Sequence, residues 1–260
     1  MRSDQWVIRE LPNAAARGEI AAFFQSQVDA ATGDTVALEA LSRWIHPERG
    51  VIPPQEFIPV VEESPSMDVL GDAMLRAACT YGAELVAAGR RIEIAVNVAA
   101  VQLAQVGFAD RVERRLLESG QLPELLTLEL TEARPSPPSA SAELHRLRSL
   151  GLGISLDDVR TVDEADFRAG GLPITEIKVD RSIIERLPED DEAAVELVAC
   201  ARRHGVRSVA EGVETERQWD AVRRLGFDRA QGFLFGRPMP PEQVTERLDA
   251  EAAGPGQSEL

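Results

Sequence analysis

The chain has 260 residues, 44% of them hydrophobic and only 5% aromatic, which is the size of a single closed α/β barrel with an aliphatic core. Its formal net charge of −16 argues against DNA, RNA or anionic membrane as partners, though not against a small anion met through metal ions or a few basic groups. Two cysteines, Cys79 and Cys200, sit in helix-like patterns without C-x-x-C spacing, so a disulfide framework is excluded and a reducing cytoplasm is expected.

In chain order, residues 1–12 end at Pro12 and read as an N-terminal lead-in without the apolar stretch of a signal peptide. Strands are predicted over Ala22–Val28 and Val36–Leu41, then a helix over Met67–Ala88 and a strand over Ile92–Val98. A helix over Gly107–Ser119 leads to a strand over Leu125–Thr131. The proline-rich Arg134–Ser139 is a loop, followed by a helix over Ser141–Leu150. Strands Leu152–Asp157, Ile174–Val179, Val206–Ala210 and Asp228–Gly232 then alternate with helices Asp190–His204, Thr215–Leu225 and Pro241–Ala250. Residues 13–251 form the expected barrel domain, and 252–260 a frayed tail. The longest uncharged run, Ile94 to Ala109, carries Asn97, Gln102 and Gln105 and is too short to span a bilayer.

Strand–helix alternation implies parallel βαβ units, and eight strands in this length imply closure. Only Ala30–Asp34 separates the first two strands, too little for a crossover helix. The first strand is therefore expected antiparallel, giving a modified (β/α)₈ TIM-type barrel.

Buried parallel strands should be almost purely apolar. Here Glu39, Asn97, Glu129, Asp157, Asp158, Lys178, Glu211 and Gln231 interrupt them, each near the C-terminal end of its strand. Singly, each has an ordinary explanation as an edge residue, an ion-pair partner or a helix cap. Jointly they would converge on the barrel mouth, where such folds carry their sites. Carboxylates gathered without an ion would repel one another. An oxygen-rich set of this kind suits Mg²⁺ or Mn²⁺, and His46, His145 and His204 are too few and too far away for a histidine site. Gly151-x-Gly153 precedes its strand, so it is no dinucleotide fingerprint, and no P-loop or nucleophile motif is present.

With their neighbours, these residues resemble the EAL-domain family, the phosphodiesterases and receptors of cyclic di-GMP. The resemblance rests on Glu39-Ala40-Leu41 with Arg43, on His46-Pro47, Glu56-Phe57-Ile58-Pro59, Val96-Asn97 and Glu129-Leu130-Thr131-Glu132. It continues through Asp157-Asp158, Lys178-Val179-Asp180-Arg181-Ser182, Glu211-Gly212-Val213-Glu214-Thr215 and the run from Gln231 to Pro238. It implies that Glu39, Asn97, Glu129 and Asp157 are direct metal ligands, with Asp158 helping to hold a second Mg²⁺ or Mn²⁺. Glu211 would be a further ligand or orient water, Lys178 would stabilise the attacking water and Gln231 would order the water network. Arg43 would contact a ligand phosphate, and Glu132, Asp180 and Glu214 would support the surrounding loops. The implied reaction is hydrolysis of cyclic di-GMP, a bacterial second messenger, to linear pGpG in the cytoplasm.

Two departures stand out. Where the family has Phe-Gly-Thr-Gly after the paired aspartates, this chain has Val159-Arg160-Thr161-Val162. Neither Arg160 nor Val162 adopts left-handed backbone angles cheaply. In the family this loop positions the second metal and contributes to homodimer contacts. Its degeneration over 159–164 leaves two readings open: a metal-dependent phosphodiesterase, or a cyclic di-GMP receptor with weak or no turnover. Glycine restored at 160 and 162 is expected to raise activity. The second departure is Ser26, where the family has proline after Gln25.

Overall fold

The computed structural model describes residues 2–62, 64–130, 138–161 and 171–253. Helix α1 (Arg2–Ala16) leads into the antiparallel pair β1 (Ile20–Asp29) and β2 (Thr35–His46). The connection is an Asp29 turn: its carboxylate accepts the Ala31 and Thr32 N–H groups, both at 2.9 Å. Strand β3 (Gly50–Ile52) folds back on the end of β2, and α2 (Pro54–Val61) and the long α3 (Ser66–Ala87) follow.

From there the chain alternates. The units are β4 (Glu93–Val98), α4 (Ala100–Leu103) and α5 (Phe108–Ser119), then β5 (Leu126–Leu130) and α6 (Pro138–Ser149). Next come β6 (Gly153–Val159), β7 (Glu176–Val179), α7 (Arg181–Ile184) and α8 (Glu192–His204). The series ends with β8 (Arg207–Ala210), α9 (Glu216–Leu225), β9 (Arg229–Gln231) and α10 (Pro241–Ala253). Strand order is β1-β9-β8-β7-β6-β5-β4-β2, with β1 pairing back to β2, so the sheet closes and β3 hangs outside it. Every pair from β2 through β4 to β9 is parallel, while β1 is antiparallel to both neighbours. The expected modified barrel is the observed fold.

The stretch read as a lead-in is different. Residues 2–16 are helical through Pro12, and Val7, Leu11 and Ala14 are buried in the main core. Their spacing lines one helical face against α3, and Trp6 stacks flat on Trp44 of β2 at 5.0 Å. The proline lacks one N–H, and burial of that face outweighs the lost hydrogen bond.

The floor of the barrel is ionic. Arg207 holds Glu93 through two hydrogen bonds of 2.8 and 2.9 Å, and Arg229 adds further bonds to Glu93. Glu176 lies 3.2 Å from Arg207 and 3.6 Å from Arg229. These four residues start β4, β7, β8 and β9, so one network ties the N-terminal ends of four strands. Among the described residues no helix is long and apolar enough to cross a membrane.

Candidate functional site

At the opposite end the polar exceptions meet. Lys178 is buried on β7, and its Nζ lies 2.7 Å from Glu211, 3.1 Å from Glu129, 3.4 Å from Asp157 and 3.5 Å from Glu39. The parallel register explains the common level: Glu39 aligns with Ala95 two residues before Asn97, and Asn97 faces Glu129. Glu39 is held on both oxygens. Asn97 Nδ2 donates to one at 2.8 Å, and Gln231 Nε2 donates to the other at 2.6 Å.

A regular strand sends consecutive side chains to opposite faces, so Asp157 and Asp158 could not both serve one site. β6 solves this with a bulge. Leu156 pairs with Ile177 and Val159 pairs with Val179, so two aspartates on β6 oppose Lys178 alone. Asp158 takes a left-handed backbone at φ 54°, the one non-glycine residue with positive φ among those described. Its N–H donates to Asp157 Oδ1 at 3.0 Å. Asp157, Asp158 and Glu211 thereby bring carboxylate oxygens within 4.8 Å of one another.

The electrostatics are those of an acidic pocket around one cation. Burial disfavours the Lys178 ammonium, but the charges of Glu129, Glu211, Glu39 and Asp157 outweigh it and hold the lysine protonated well above its ordinary range. Burial, then the neighbouring Glu39 charge, drive Glu129 well above the usual carboxylate range. Burial also pushes Glu211 up to about 8, with Lys178 opposing and Asp157 and Glu39 adding to the rise. At Glu39 burial acts in the same direction, yet Lys178 and the Gln231 and Asn97 amides prevail and keep the carboxyl low.

This donor set fits a hard divalent cation. Both Glu129 oxygens are buried and accept no hydrogen bond, and five carboxylates face a single lysine. The set is all oxygen, counting the Asn97 amide carbonyl, as Mg²⁺ or Mn²⁺ prefers. A cavity of about 530 Å³ opens over it. Its polar wall includes Glu39, Asn97, Asp157, Asp158 and Glu211, and its apolar wall includes Ile58, Met67, Leu70 and Met74.

Other expected residues stand apart. Arg43 does not line that cavity, although Leu41 and Ser42 do; its guanidinium lies over the Phe23 ring at 5.6 Å and donates to the Ser42 carbonyl at 2.7 Å. Glu214 pairs with Arg181 at 3.1 Å on the surface. Asp180 is the exception: it caps α7 through the Ser182 N–H, meets Arg160 at 3.1 Å and is hydrogen-bonded to the Asp158 carboxyl. Glu132 and residues 162–164 lie outside the described residues. His46 is structural, its Nδ1 accepting the N–H groups of Glu48 and Arg49. One contributor was missed: Gln25 accepts from Gln231 at 3.1 Å and donates to the Gly236 carbonyl at 3.0 Å, bracing the amide that holds Glu39. A glutamine on a buried strand is the available signal in the sequence.

The EAL domain family matches residues 8–238. The chain is an EAL domain. MucR of Pseudomonas aeruginosa, a bifunctional diguanylate cyclase/cyclic di-GMP phosphodiesterase, is 37% identical over 92% of this chain and 36% of its own length. RocR of the same organism, a cyclic di-GMP phosphodiesterase, is 32% identical over 92% of this chain and 62% of its length. The solved PaMucR phosphodiesterase in its c-di-GMP complex superposes with a TM-score of 0.84 at 36% identity, covering 92% of this EAL domain and 99% of that chain. The chain spans about a third of the length of the first curated relatives it matches.

Proposed function

We propose that this EAL domain is a divalent-metal-dependent phosphodiesterase that hydrolyses cyclic di-GMP to linear pGpG. The observation that carries the reading is the convergence of Glu39, Glu129, Asp157, Asp158 and Glu211 around Lys178, with an excess of acid that a receptor has no need to keep. Relatives named as cyclic di-GMP phosphodiesterases, MucR and RocR among them, support the substrate class.

Glu39, Asn97, Glu129 and Asp157 would hold one cation, and Asp158 with Asp157 and Glu211 a second. Bound there, Mg²⁺ or Mn²⁺ would polarise the phosphodiester and acidify a water for in-line attack. Gln231, braced by Gln25, orients the Glu39 carboxylate and with it the local water order. The Lys178 ammonium would orient or stabilise the attacking water and the developing charge. Glu211 would serve as a further ligand or orient the water. The apolar wall of the cavity would take the guanine faces, and the proposed site of action is the cytoplasm, where this second messenger circulates.

The test is incubation with cyclic di-GMP and Mg²⁺ or Mn²⁺ and separation of the nucleotides over time. Accumulating pGpG, stopped by a chelator and lost by more than about a hundredfold in Glu39→Ala, is the expected result. The departure at Arg160 and Val162 favours a second reading, a cyclic di-GMP receptor. Intact nucleotide after long incubation, with binding retained in a titration, would establish that reading and end the enzymatic one.

A further inference from the structure

The bulge that delivers Asp158 needs something to hold it. A left-handed aspartate costs free energy and persists only where its surroundings fix it. Before the bulge, β6 is pinned by its pairs Ser155–Glu176 and Leu156–Ile177. Beyond it, a single pair remains, Val159–Val179, joined by the Asp180 N–H donating to the Val159 carbonyl at 3.1 Å. Two side-chain contacts reinforce this short stretch: Arg160 Nε lies 3.1 Å from Asp180 Oδ1, and the Asp158 carboxyl is itself hydrogen-bonded to that of Asp180. Asp180 is itself anchored, since its Oδ1 accepts both the N–H and the hydroxyl of Ser182 at the start of α7. The arginine is 68% exposed and the aspartate 9%, so the pair ties a loop residue to a fixed post.

We propose that Arg160 is a positioning residue for the second cation: its ion pair with Asp180 locks β6 to β7 beyond the bulge and so fixes the Asp158 carboxylate. The inference rests on the metal-dependent reading above. It also assigns a purpose to a residue that otherwise looks like decay of the family's glycine loop. A chain that has lost the glycines gains in their place a side chain that reaches the neighbouring strand end.

Charge and geometry predict opposite signs here, which makes the proposal testable. Deleting a cation beside the site makes it more negative and, by charge alone, would tighten divalent ions. Loss of the lock would loosen Asp158 and weaken the ion it holds. The experiment titrates Mn²⁺ into the full chain without nucleotide and follows the free-ion paramagnetic resonance signal. In Arg160→Ala the weaker Mn²⁺ site should lose affinity by about two- to fivefold, the range an ion pair half in solvent can supply, while the tighter site holds. Arg160→Lys should recover part of the loss. In an Asp180→Asn background, where Ser182 can still be capped, Arg160→Ala should have no further effect. The melting temperature should move by less than about 2 °C, because so exposed a pair adds little to global stability. Unchanged or tightened Mn²⁺ binding in Arg160→Ala, or an equal loss in the Asp180→Asn background, overturns the proposal while leaving the metal reading intact. Failure of the unaltered chain to bind Mn²⁺ at all overturns both.

Discussion

Lys178 shows at the residue scale how a buried charge is tolerated. Four carboxylates stand within 3.5 Å of its ammonium, so replacing it by an isosteric apolar group leaves an uncompensated acidic cluster. Lys178→Met is expected to destabilise the chelated protein by about 3 kcal/mol, as buried partners do when one is removed. Added Mn²⁺ should then stabilise this variant more than the unaltered chain, since cations take over the missing compensation. Urea melts with and without Mn²⁺ check both statements, and equal stability of the two chelated proteins would remove Lys178 from its balancing role. Arg160 carries a second expectation at the same scale. From the sequence, glycine at 160 and 162 together is expected to raise activity, whereas on the role proposed for Arg160 the change Arg160→Gly alone is expected to weaken the second cation.

At the scale of elements, two features decide how the site is held. The bulge in β6 brings both carboxylates of a two-residue motif to one site, and α1 backs the far end of β2 through the stack of Trp6 on Trp44. Helix α1 is integral to the core, because Leu11 is wholly buried within it. Leu11→Ala should therefore cost about 3 kcal/mol, the usual loss for a leucine cavity. An equilibrium urea transition of the variant measures this; a change under about 0.5 kcal/mol would mean that α1 is an appendage after all. Pro12 hid this helix from the sequence, since a proline is a good local stop signal and only the packed face shows that it is overridden.

For the whole molecule, the barrel separates its chemistry by end: a cation-seeking mouth and a self-neutralised floor. On the floor, burial works against the Glu93 carboxylate, but hydrogen bonds from Arg229 and Arg207 outweigh it and hold its pKa below the ordinary value. The folded state thus binds that proton less tightly than the unfolded chain. The contribution is full above the unfolded carboxylate value of about 4.3 and is lost as pH falls through the lower folded value. Glu93→Gln should cost about 2 kcal/mol near neutrality and should flatten the acid limb of stability against pH. Denaturation midpoints from neutral pH down to about pH 3 test this, and an acid limb identical to that of the unaltered chain would show that other groups set it.

The sequence by itself determined the barrel, its antiparallel first strand and which strand ends carry oxygen and nitrogen donors. Those properties are written in local periodicity: strands repeat every two residues, and a charged residue on a buried strand stands out in its own neighbourhood. The family resemblance was legible for the same reason, as short motifs in fixed order. What only the tertiary structure decided depends on pairing between distant segments. The bulge exists in the register between β6 and β7, not in either strand alone. Gln25 becomes a brace because β1 lies between β2 and β9, which sets it against residues 206 positions away. The floor network joins Glu93 to Arg207 across 114 positions. Arg160 faces Asp180 because β6 and β7 end side by side. Register over such separations follows from how the whole sheet closes, and closure belongs to no single stretch of the chain.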